Sequence, residues 1–252
     1  MISNPRAPAS SIDRHGNGSK LMLTLAIDTS GTTGSIALRR DGAVLEERTL
    51  ELGRQHGQSL IPALQQLLQA QGLCVRDCGL IAVSVGPGSF TGLRIGIVCA
   101  KTLAYAISCP VVPVDTFQAT ARNAPADAQQ VYVAANAQRG ELFVAGFQYD
   151  AAGEWNRCGP TEILPIAALA ARLQPSDVVL GPDLEFAAEG LGTDTRLLTG
   201  AAGRPKAGEV ARLGELMLAA GEPGTPGSIL PVYLRRSSAE DKWDQRRREA
   251  GR

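Results

Sequence analysis

Apolar and polar positions along the first half of the chain predict several strands joined by turns. Residues 21–27 are almost all apolar and predict a buried strand. Residues 35–52 alternate apolar and polar side chains around Asp41-Gly42, a pair typical of two-residue hairpin turns. A further short strand is expected at 110–116. The chain therefore opens with a strand, a loop and a hairpin.

Leucines recur at helical spacing across residues 58–70. They share one face, which predicts an amphipathic helix. Ser59 can act as the N-cap of this helix, Pro62 suits its first turn, and Gly72 ends it. The leucines on the apolar face are Leu60, Leu64, Leu67 and Leu68.

Residues 82–108 join an apolar run to a glycine-rich turn and then to a helix. The turn Gly-Pro-Gly at 86–88 breaks the strand, because glycine tolerates positive φ and proline fixes its own φ. Ser89 or Thr91 can cap the helix that follows. Backbone N–H groups at a helix N-terminus favour a phosphate. A tight turn that brings the helix close to the sheet explains the same glycines without a ligand.

Small residues recur at every fourth position of this second helix: Gly92, Gly96, Ala100 and Ala104. Such a ridge allows another helix to approach closely. The other helix can belong to a partner molecule or to the same domain, and the sequence leaves both readings open.

The second half of the chain repeats the order of strands followed by helices. Two successive units of this kind predict an α/β protein with two related lobes. The predicted elements are strands at 129–137, 140–150 and 177–183, an edge strand within 154–164, and helices at 165–173 and 207–221.

Both ends of the chain are polar. Residues 1–20 lack apolar periodicity and any apolar core of a signal peptide, so a disordered leader is expected, with translation from Met22 as an alternative. Residues 236–252 are expected to form a polar, basic tail. The arginines at 246–248 in this tail can contact RNA or simply be solvated.

Composition excludes several functional classes. Lys plus Arg and Asp plus Glu number 25 each, so no global basic field points to nucleic acid, and any RNA contact has to be local or supplied by a partner. Five cysteines without a C-x-x-C pair indicate reduced thiols in a cytoplasmic protein. His15 and His56 form no metal-binding pair, so no metal site is expected. No apolar run approaches the roughly 20 residues of a membrane span, so no membrane partner is expected.

Three segments taken together resemble the bacterial TsaB family, also called YeaZ: LAIDTSGTTGSIAL at 25–38, GPGSFTGLRIGI at 86–97 and PVYLRRSSAEDKW at 231–243. The resemblance extends over about residues 21–243. It implies an α/β fold of two actin-like lobes, each a mixed β-sheet with flanking helices, at 21–116 and 117–235. It also implies a role in making threonylcarbamoyladenosine beside the anticodon of tRNAs that read codons beginning with adenine.

Within that family, members are expected to be noncatalytic scaffold subunits, so the resemblance assigns this chain no catalytic residue. It implies binding to the catalytic paralogue TsaD, cooperation with the P-loop ATPase TsaE, and contact with tRNA only through the complex. Helices of the first lobe form the expected interface with TsaD, or with a second copy in a homodimer. The predicted interface residues are Leu60, Leu64, Leu67, Gly92, Gly96, Ala100 and Ala104.

The D-T-S opening is shared with the wider actin, sugar-kinase and Hsp70-like superfamily, in which this loop meets phosphate and metal. The nucleotide-binding residues implied here are Asp28, Thr29, Ser30, Gly86, Gly88, Ser89 and Thr91. Capping and turn formation explain the same residues without a ligand. No cofactor is expected to be required, while ATP or ADP with magnesium at the cleft or the partner interface is left open.

A departure from the family pattern bears on ATP hydrolysis. Where family members often read D-A-R-x-G-E, this chain has Asn136-Ala137-Gln138-Arg139-Gly140-Glu141. Asparagine lacks the carboxylate that could hold a magnesium-bound water. An autonomous nucleotide-dependent phosphotransferase is therefore the alternative function rather than the leading one.

Overall fold

The computed structural model describes residues 22–52, 56–151 and 153–235, together with Trp243. The predicted leader at 1–20 and, apart from Trp243, the predicted tail at 236–252 lie outside the described residues.

Five strands form the first sheet, in the order β3-β2-β1-β4-β5. The first three are antiparallel neighbours, while β1, β4 and β5 run parallel. Asp41 and Gly42 both have positive φ, 53° and 81°, as the predicted two-residue hairpin requires. The strands are β1 (Leu23–Asp28), β2 (Thr33–Arg40), β3 (Ala43–Glu51), β4 (Leu80–Ser84) and β5 (Val111–Val114).

Two helices, α1 (His56–Ala70) and α2 (Phe90–Ile107), cover one face of this sheet. The structure begins α1 before Ser59, so Ser59 lies inside the helix rather than at its N-cap, and Pro62 lies in the second turn. Gly72 has a φ of 65° and follows the helix end, as predicted.

The second sheet has six strands, in the order β11-β10-β6-β7-β8, with β9 also paired to β7. Short helices flank it. Sequence reasoning missed α3, α5 and β11, because each is only three to six residues long and carries too few positions to show a period. The elements are β6 (Gln130–Gln138), β7 (Glu141–Tyr149), β8 (Trp155–Arg157), β9 (Glu162–Pro165), β10 (Val178–Leu180), β11 (Arg196–Leu198), α3 (Thr116–Ala121), α4 (Ile166–Ala170) and α5 (Ala188–Leu191).

The chain returns to the first sheet after the second is complete. Helix α6 (Ala207–Ala219) packs on the face of the first sheet opposite α1 and α2, where its alanines and Val210 meet Ala26, Ala37 and Ala82. The predicted second lobe, residues 117–235, includes α6, whereas the structure places α6 in the first lobe. The physical reason is that both faces of the central strands are apolar and each needs a cover.

A C-terminal strap, residues 229–235, likewise runs back along the first lobe. Lys101 on α2 donates a hydrogen bond to the Ile229 carbonyl at 3.2 Å. The Val232 amide donates to the Val85 carbonyl at 2.7 Å. The first lobe is therefore assembled from two stretches of chain, and the second lobe is inserted between them.

By length and composition, α2 is the one helix among the described residues that could cross a membrane, with a mean hydropathy of 1.3 over 18 residues. Its packing accounts for much of that apolar character. Leu93, Ile97 and Ala100 are buried against the first sheet.

Candidate functional site: an interlobe cleft and an exposed helical face

A cleft of about 610 Å³ lies between the two lobes. The first lobe contributes the loop after β1 and the glycine-rich turn before α2, and the second lobe contributes the β6–β7 hairpin. The strap forms a further wall. The main lining segments are 30–32, 87–90, 135–139 and 232–235.

Asp28, the expected metal-orienting carboxylate, is sealed beneath the cleft. It is fully buried and does not line the cavity. One carboxylate oxygen accepts a hydrogen bond from the Ser30 amide at 3.4 Å, and the other has no hydrogen-bond partner among the described residues. Burial raises the pKa of Asp28 to about 6, although the neighbouring Ser84 and Ser30, which favour the charged form, oppose this effect. A metal held in the cleft would not reach this group.

The two loops predicted to bind phosphate pack directly against each other. The Thr29 hydroxyl donates to the Gly92 carbonyl at 2.7 Å, so it is already committed to the first turn of α2. The Ser89 amide donates to the Ser30 carbonyl at 2.6 Å. A Cβ at Gly88 would lie only 2.5 Å from that same carbonyl oxygen. The Thr29 hydroxyl and the Ser89 amide are therefore already engaged in the contact between the two loops.

Ser89 is the N-cap of α2, since its Oγ accepts a hydrogen bond from the Gly92 amide at 3.2 Å. Gly86 has a φ of 116°, its amide donates to Thr116 Oγ1, and Val232 packs against it. Thr91 is exposed on α2 and lies outside the cleft lining.

Of the seven residues expected to bind nucleotide, the structure brings only Ser30, Gly88 and Ser89 to the cleft surface. These three, with the carboxylate sealed below, do not fit a magnesium–phosphate group. The described residues also include no cluster of three or more His, Cys, Asp or Glu side chains able to hold a metal.

The departure from the family pattern in the β6–β7 hairpin also has a structural role. Asn136 Oδ1 accepts a hydrogen bond from the Gln138 amide at 2.7 Å, which supports a turn in which Gln138 and Arg139 both have positive φ. Glu141, at the base of the hairpin, forms an ion pair with Arg235 of the strap. Arg235 also donates to the Ala137 carbonyl, so the strap ties the two lobes together.

Sequence reasoning missed an aromatic and arginine cluster where the strap meets α2. The rings of Phe90 and Tyr233 stack with centroids 4.7 Å apart. Arg94 lies over the Phe90 ring at 3.9 Å, and its Nε donates to Tyr233 Oη at 2.7 Å. Phe90 and Arg94 share one face of α2, but nothing in the sequence identified Tyr233 as the residue that they would meet.

The residues of the predicted partner interface lie inside the first lobe. All seven of its residues are buried within this chain, where they pack α1 and α2 onto the first sheet. The ridge of small residues therefore allows close packing within this chain. Helix α2 lies so close to the loop after β1 that a Cβ at Gly96 would overlap Thr29 Oγ1. The buried residues are Leu60, Leu64, Leu67, Gly92, Gly96, Ala100 and Ala104, and of these Leu60 also borders the groove described next.

The opposite sides of the same two helices carry exposed apolar side chains among polar ones. Ile61 is 52% exposed, Val98 62% and Tyr105 81%. Between the helices lies a groove of about 450 Å³, in which Arg94 and Thr102 are the polar side chains. We call this surface the α1–α2 face; its groove is lined by Leu60, Ile61, Arg94, Ile95, Val98, Cys99, Thr102 and Leu103.

Two mixed sheets flanked by helices, with a cleft between them, define a two-lobed α/β protein of the actin-like class. The family model described as "TsaD: tRNA N6-adenosine threonylcarbamoyltransferase" matches residues 45–175. The tRNA threonylcarbamoyladenosine biosynthesis protein TsaB of Bacillus subtilis is 33% identical, over 88% of this chain and 98% of its own length. The TsaB protein of Escherichia coli is 32% identical, with the same two coverages of 88% and 98%.

The structure of YeaZ from Pseudomonas aeruginosa is similar, with a TM-score of 0.74 at 29% identity; the match covers 85% of this chain and 100% of that one. The chain belongs to the TsaB family, also called YeaZ, of tRNA threonylcarbamoyladenosine biosynthesis proteins. The family resemblance and the fold class predicted from the sequence are thereby confirmed.

Proposed function

We propose that this chain is a noncatalytic, partner-binding subunit in threonylcarbamoyladenosine synthesis. It docks a TsaD-type transferase through the α1–α2 face and works with the ATPase TsaE. It reaches tRNA through the resulting complex, in the cytoplasm, where tRNA is modified.

The exposed α1–α2 face carries the proposal. The groove of about 450 Å³ is lined by apolar side chains except for Arg94 and Thr102, and Ile61 and Val98 in its lining are more than half exposed. Apolar residues at helical spacing on two adjacent helices are suited to packing against helices of a partner. The match to the transferase family model supports a partner of related fold, since related lobes present related helices.

The alternative, an autonomous nucleotide-dependent phosphotransferase, has only the cleft in its favour. It needs a carboxylate that reaches a magnesium ion, and Asp28 is sealed below the cleft surface. Its hallmark would be ATP turnover by the purified chain that is lost in Asp28→Ala.

The docking proposal is tested by size-exclusion chromatography with light scattering, using the chain mixed with the TsaD protein of the same organism. We expect a one-to-one complex, and we expect Val98→Asp to abolish it, because burying a carboxylate in an apolar contact removes its hydration and opposes association. The same variant should lose tRNA modification in a reconstituted reaction.

Leu216→Asp is the matched control. Leu216 is 50% exposed on α6, which covers the other face of the first sheet, so this variant should bind the partner as the wild type does. Equal binding by Val98→Asp and the wild type would refute the α1–α2 face as the docking surface.

A further inference from the structure

Two cysteines lie on neighbouring segments of the first lobe, just before strands β4 and β5 begin. Cys78 lies two positions before β4, and Cys109 lies two positions before β5. Cys78 is 5% exposed, within the core cluster between the first sheet and helices α1 and α2. Cys109 is half-buried and packs against the same cluster. Both side chains are free thiols on the same side of the sheet.

The register of the two strands brings these cysteines within reach of a disulfide bond. Strands β4 and β5 are parallel, with Ile81 opposite Val111. Counting back along both strands places Cys109 opposite Gly79, and therefore one position away from Cys78. Neighbouring strands lie about 4.8 Å apart and rise about 3.3 Å per residue, so two Cα atoms offset in this way are about 5.8 Å apart. Disulfides usually join Cα atoms that are about 4.4–6.8 Å apart.

The Cys109 side chain is turned toward β4. Its Sγ lies 3.4 Å from the Pro110 carbonyl oxygen, which also accepts a hydrogen bond from the Ile81 amide at 3.1 Å. The thiol and the backbone of β4 therefore share one acceptor. Burial raises the pKa of Cys78, and Cys109 is the neighbouring ionisable group that raises this pKa most.

The other cysteines are less well placed for pairing with Cys78. Cys74 is exposed, on the far side of a single 3₁₀ turn, Val75–Asp77. Cys99 is buried in the same core cluster, but it lies about 12 Å along the helix axis from the end of α2. Cys158 is exposed in the second lobe.

We propose that Cys78 and Cys109 form a reversible disulfide that fixes the C-terminal end of α2 to the first sheet when small disulfides accumulate. The loop closed by this bond, residues 78–109, contains β4, the glycine-rich turn and all of α2. The N-terminal end of α2 is already held by the Ser89 cap and by the hydrogen bond from Thr29. A cross-link stabilises a protein mainly by restricting the unfolded chain. The stability with which α2 packs on the sheet therefore depends on the redox state of the surrounding thiols.

Exchange with glutathione disulfide supplies the oxidant and balances the reaction. Cys109, the more exposed of the two cysteines, attacks one glutathione sulfur as its thiolate, so that a mixed disulfide forms and one glutathione thiolate leaves. Cys78 then loses its proton and attacks the Cys109 sulfur, which forms the protein disulfide and releases the second glutathione. Two cysteine thiols are oxidised, one glutathione disulfide is reduced, and the two protons end on the two glutathione thiols.

The exchange should be slow. Burial raises the pKa of Cys78 to about 12 and raises the pKa of Cys109 as well, so both thiolates are scarce. We expect the disulfide to form over minutes to hours, as is usual for uncatalysed disulfide rearrangement.

The test incubates the native chain with glutathione disulfide, blocks the remaining thiols and maps the disulfides by mass spectrometry. Trypsin places each of the five cysteines on a different peptide, so every pairing can be distinguished. We expect peptide 77–94 to be joined to peptide 102–122. The oxidised protein should melt at least about 4 °C higher than the reduced protein, and dithiothreitol should reverse both changes.

The variants are made in a chain that carries Cys74→Ser and Cys158→Ser, because these substitutions remove the exposed thiols. Cys109→Ser in this background should show neither the cross-link nor the rise in melting temperature. Cys99→Ala is the matched control, since it removes the other buried thiol and keeps the pair; it should form the cross-link as before. Melting temperatures of the reduced proteins establish that each variant is folded.

Three outcomes with the native wild-type chain would overturn the proposed pair: a mixed disulfide that persists on Cys109, a cross-link from Cys109 to Cys99, or oxidation of Cys78 only under unfolding conditions. A bond between Cys78 and Cys109 that leaves the melting temperature unchanged would overturn its role in fixing α2.

Discussion

At the scale of single residues, Asp28 is a buried acid that destabilises the fold when it is ionised. Its pKa rises from 3.8 to about 6 because burial disfavours the charged form. Because the pKa is raised, proton binding by Asp28 stabilises the folded state. This stabilisation is fully present below about pH 4 and is lost as the pH rises through about 6. At pH 8 the penalty amounts to roughly 3 kcal/mol, about three times its value at pH 4.5.

Asp28→Asn should therefore raise the free energy of unfolding, and the gain should be larger at pH 8 than at pH 4.5. The amide can also donate a hydrogen bond to Ser84 Oγ, which lacks a partner among the described residues. Urea denaturation at the two pH values measures the effect. Asp41→Asn, in the exposed hairpin turn, is the control. A pH profile for Asp28→Asn parallel to that of the wild type would contradict this account.

The cysteines differ in exposure within one chain. Cys74 and Cys158 are exposed, whereas burial raises the pKa of Cys78 to about 12 and of Cys99 to about 11. We expect an aromatic disulfide reagent to modify Cys74 and Cys158 rapidly in the native protein, and Cys78 and Cys99 only after unfolding. Mass spectrometry of partly labelled protein identifies the modified residues, and early labelling of Cys99 would show that α2 opens readily.

At the scale of elements, the contact between α2 and the loop after β1 depends on glycine. Gly96→Ala should lower the free energy of unfolding by about 1–3 kcal/mol, because the added methyl group meets the buried Thr29 hydroxyl. Ala106→Leu, on the exposed side of the same helix, should change stability little. Chemical denaturation measures the free energy of unfolding of both variants. A Gly96→Ala protein as stable as the wild type would show that the loop after β1 moves aside at no cost.

The sequence predicted the helices but not the direction in which their faces point. A ridge of small residues such as Gly96 and Ala100 allows close approach of any neighbour, and this pattern does not distinguish the chain's own sheet from a partner helix. Leu60 and Leu64 are likewise equally suited to a core and to an interface. The exposed surface of the two helices is marked instead by Ile61 and Val98. Their exposure can be inferred only once it is known which side of each helix packs on the sheet.

At the scale of the whole molecule, the two lobes are connected by ion pairs in addition to the strap. Arg212 of α6 forms two hydrogen bonds with Glu154, in the turn before β8, at 2.8 and 3.0 Å. Arg122, just after α3, pairs with the same Glu154 and with Glu209 of α6. Helix α6 therefore contacts the second lobe while it covers the first sheet.

Arg212→Ala should lower the free energy of unfolding by about 1 kcal/mol and loosen the connection between the lobes. Hydrogen exchange should show faster exchange in β8 and α6. Arg172→Ala is the control, because Arg172 makes a similar two-bond pair with Glu162 inside the second lobe and both side chains are exposed. Equal effects of the two substitutions would show that Arg212 has no special role between the lobes.

The two-lobed α/β architecture could be predicted because the longer strands and helices each show their own period. The assignment of α6 and the strap to the first lobe could not, because it depends on pairings across long sequence separations. Tyr233 and Arg94, for example, are 139 residues apart. Local patterns do not carry such information.

That separation has a consequence for the order of synthesis. A ribosome that adds about 5–20 residues per second takes roughly 7–28 seconds to travel from Arg94 to Tyr233. During that interval the nascent chain presents α1 and α2 without the tyrosine that fixes the guanidinium. The cluster of Phe90, Arg94 and Tyr233 can therefore close only after residue 233 has been synthesised, so the strap is a late contact in the assembly of the first lobe.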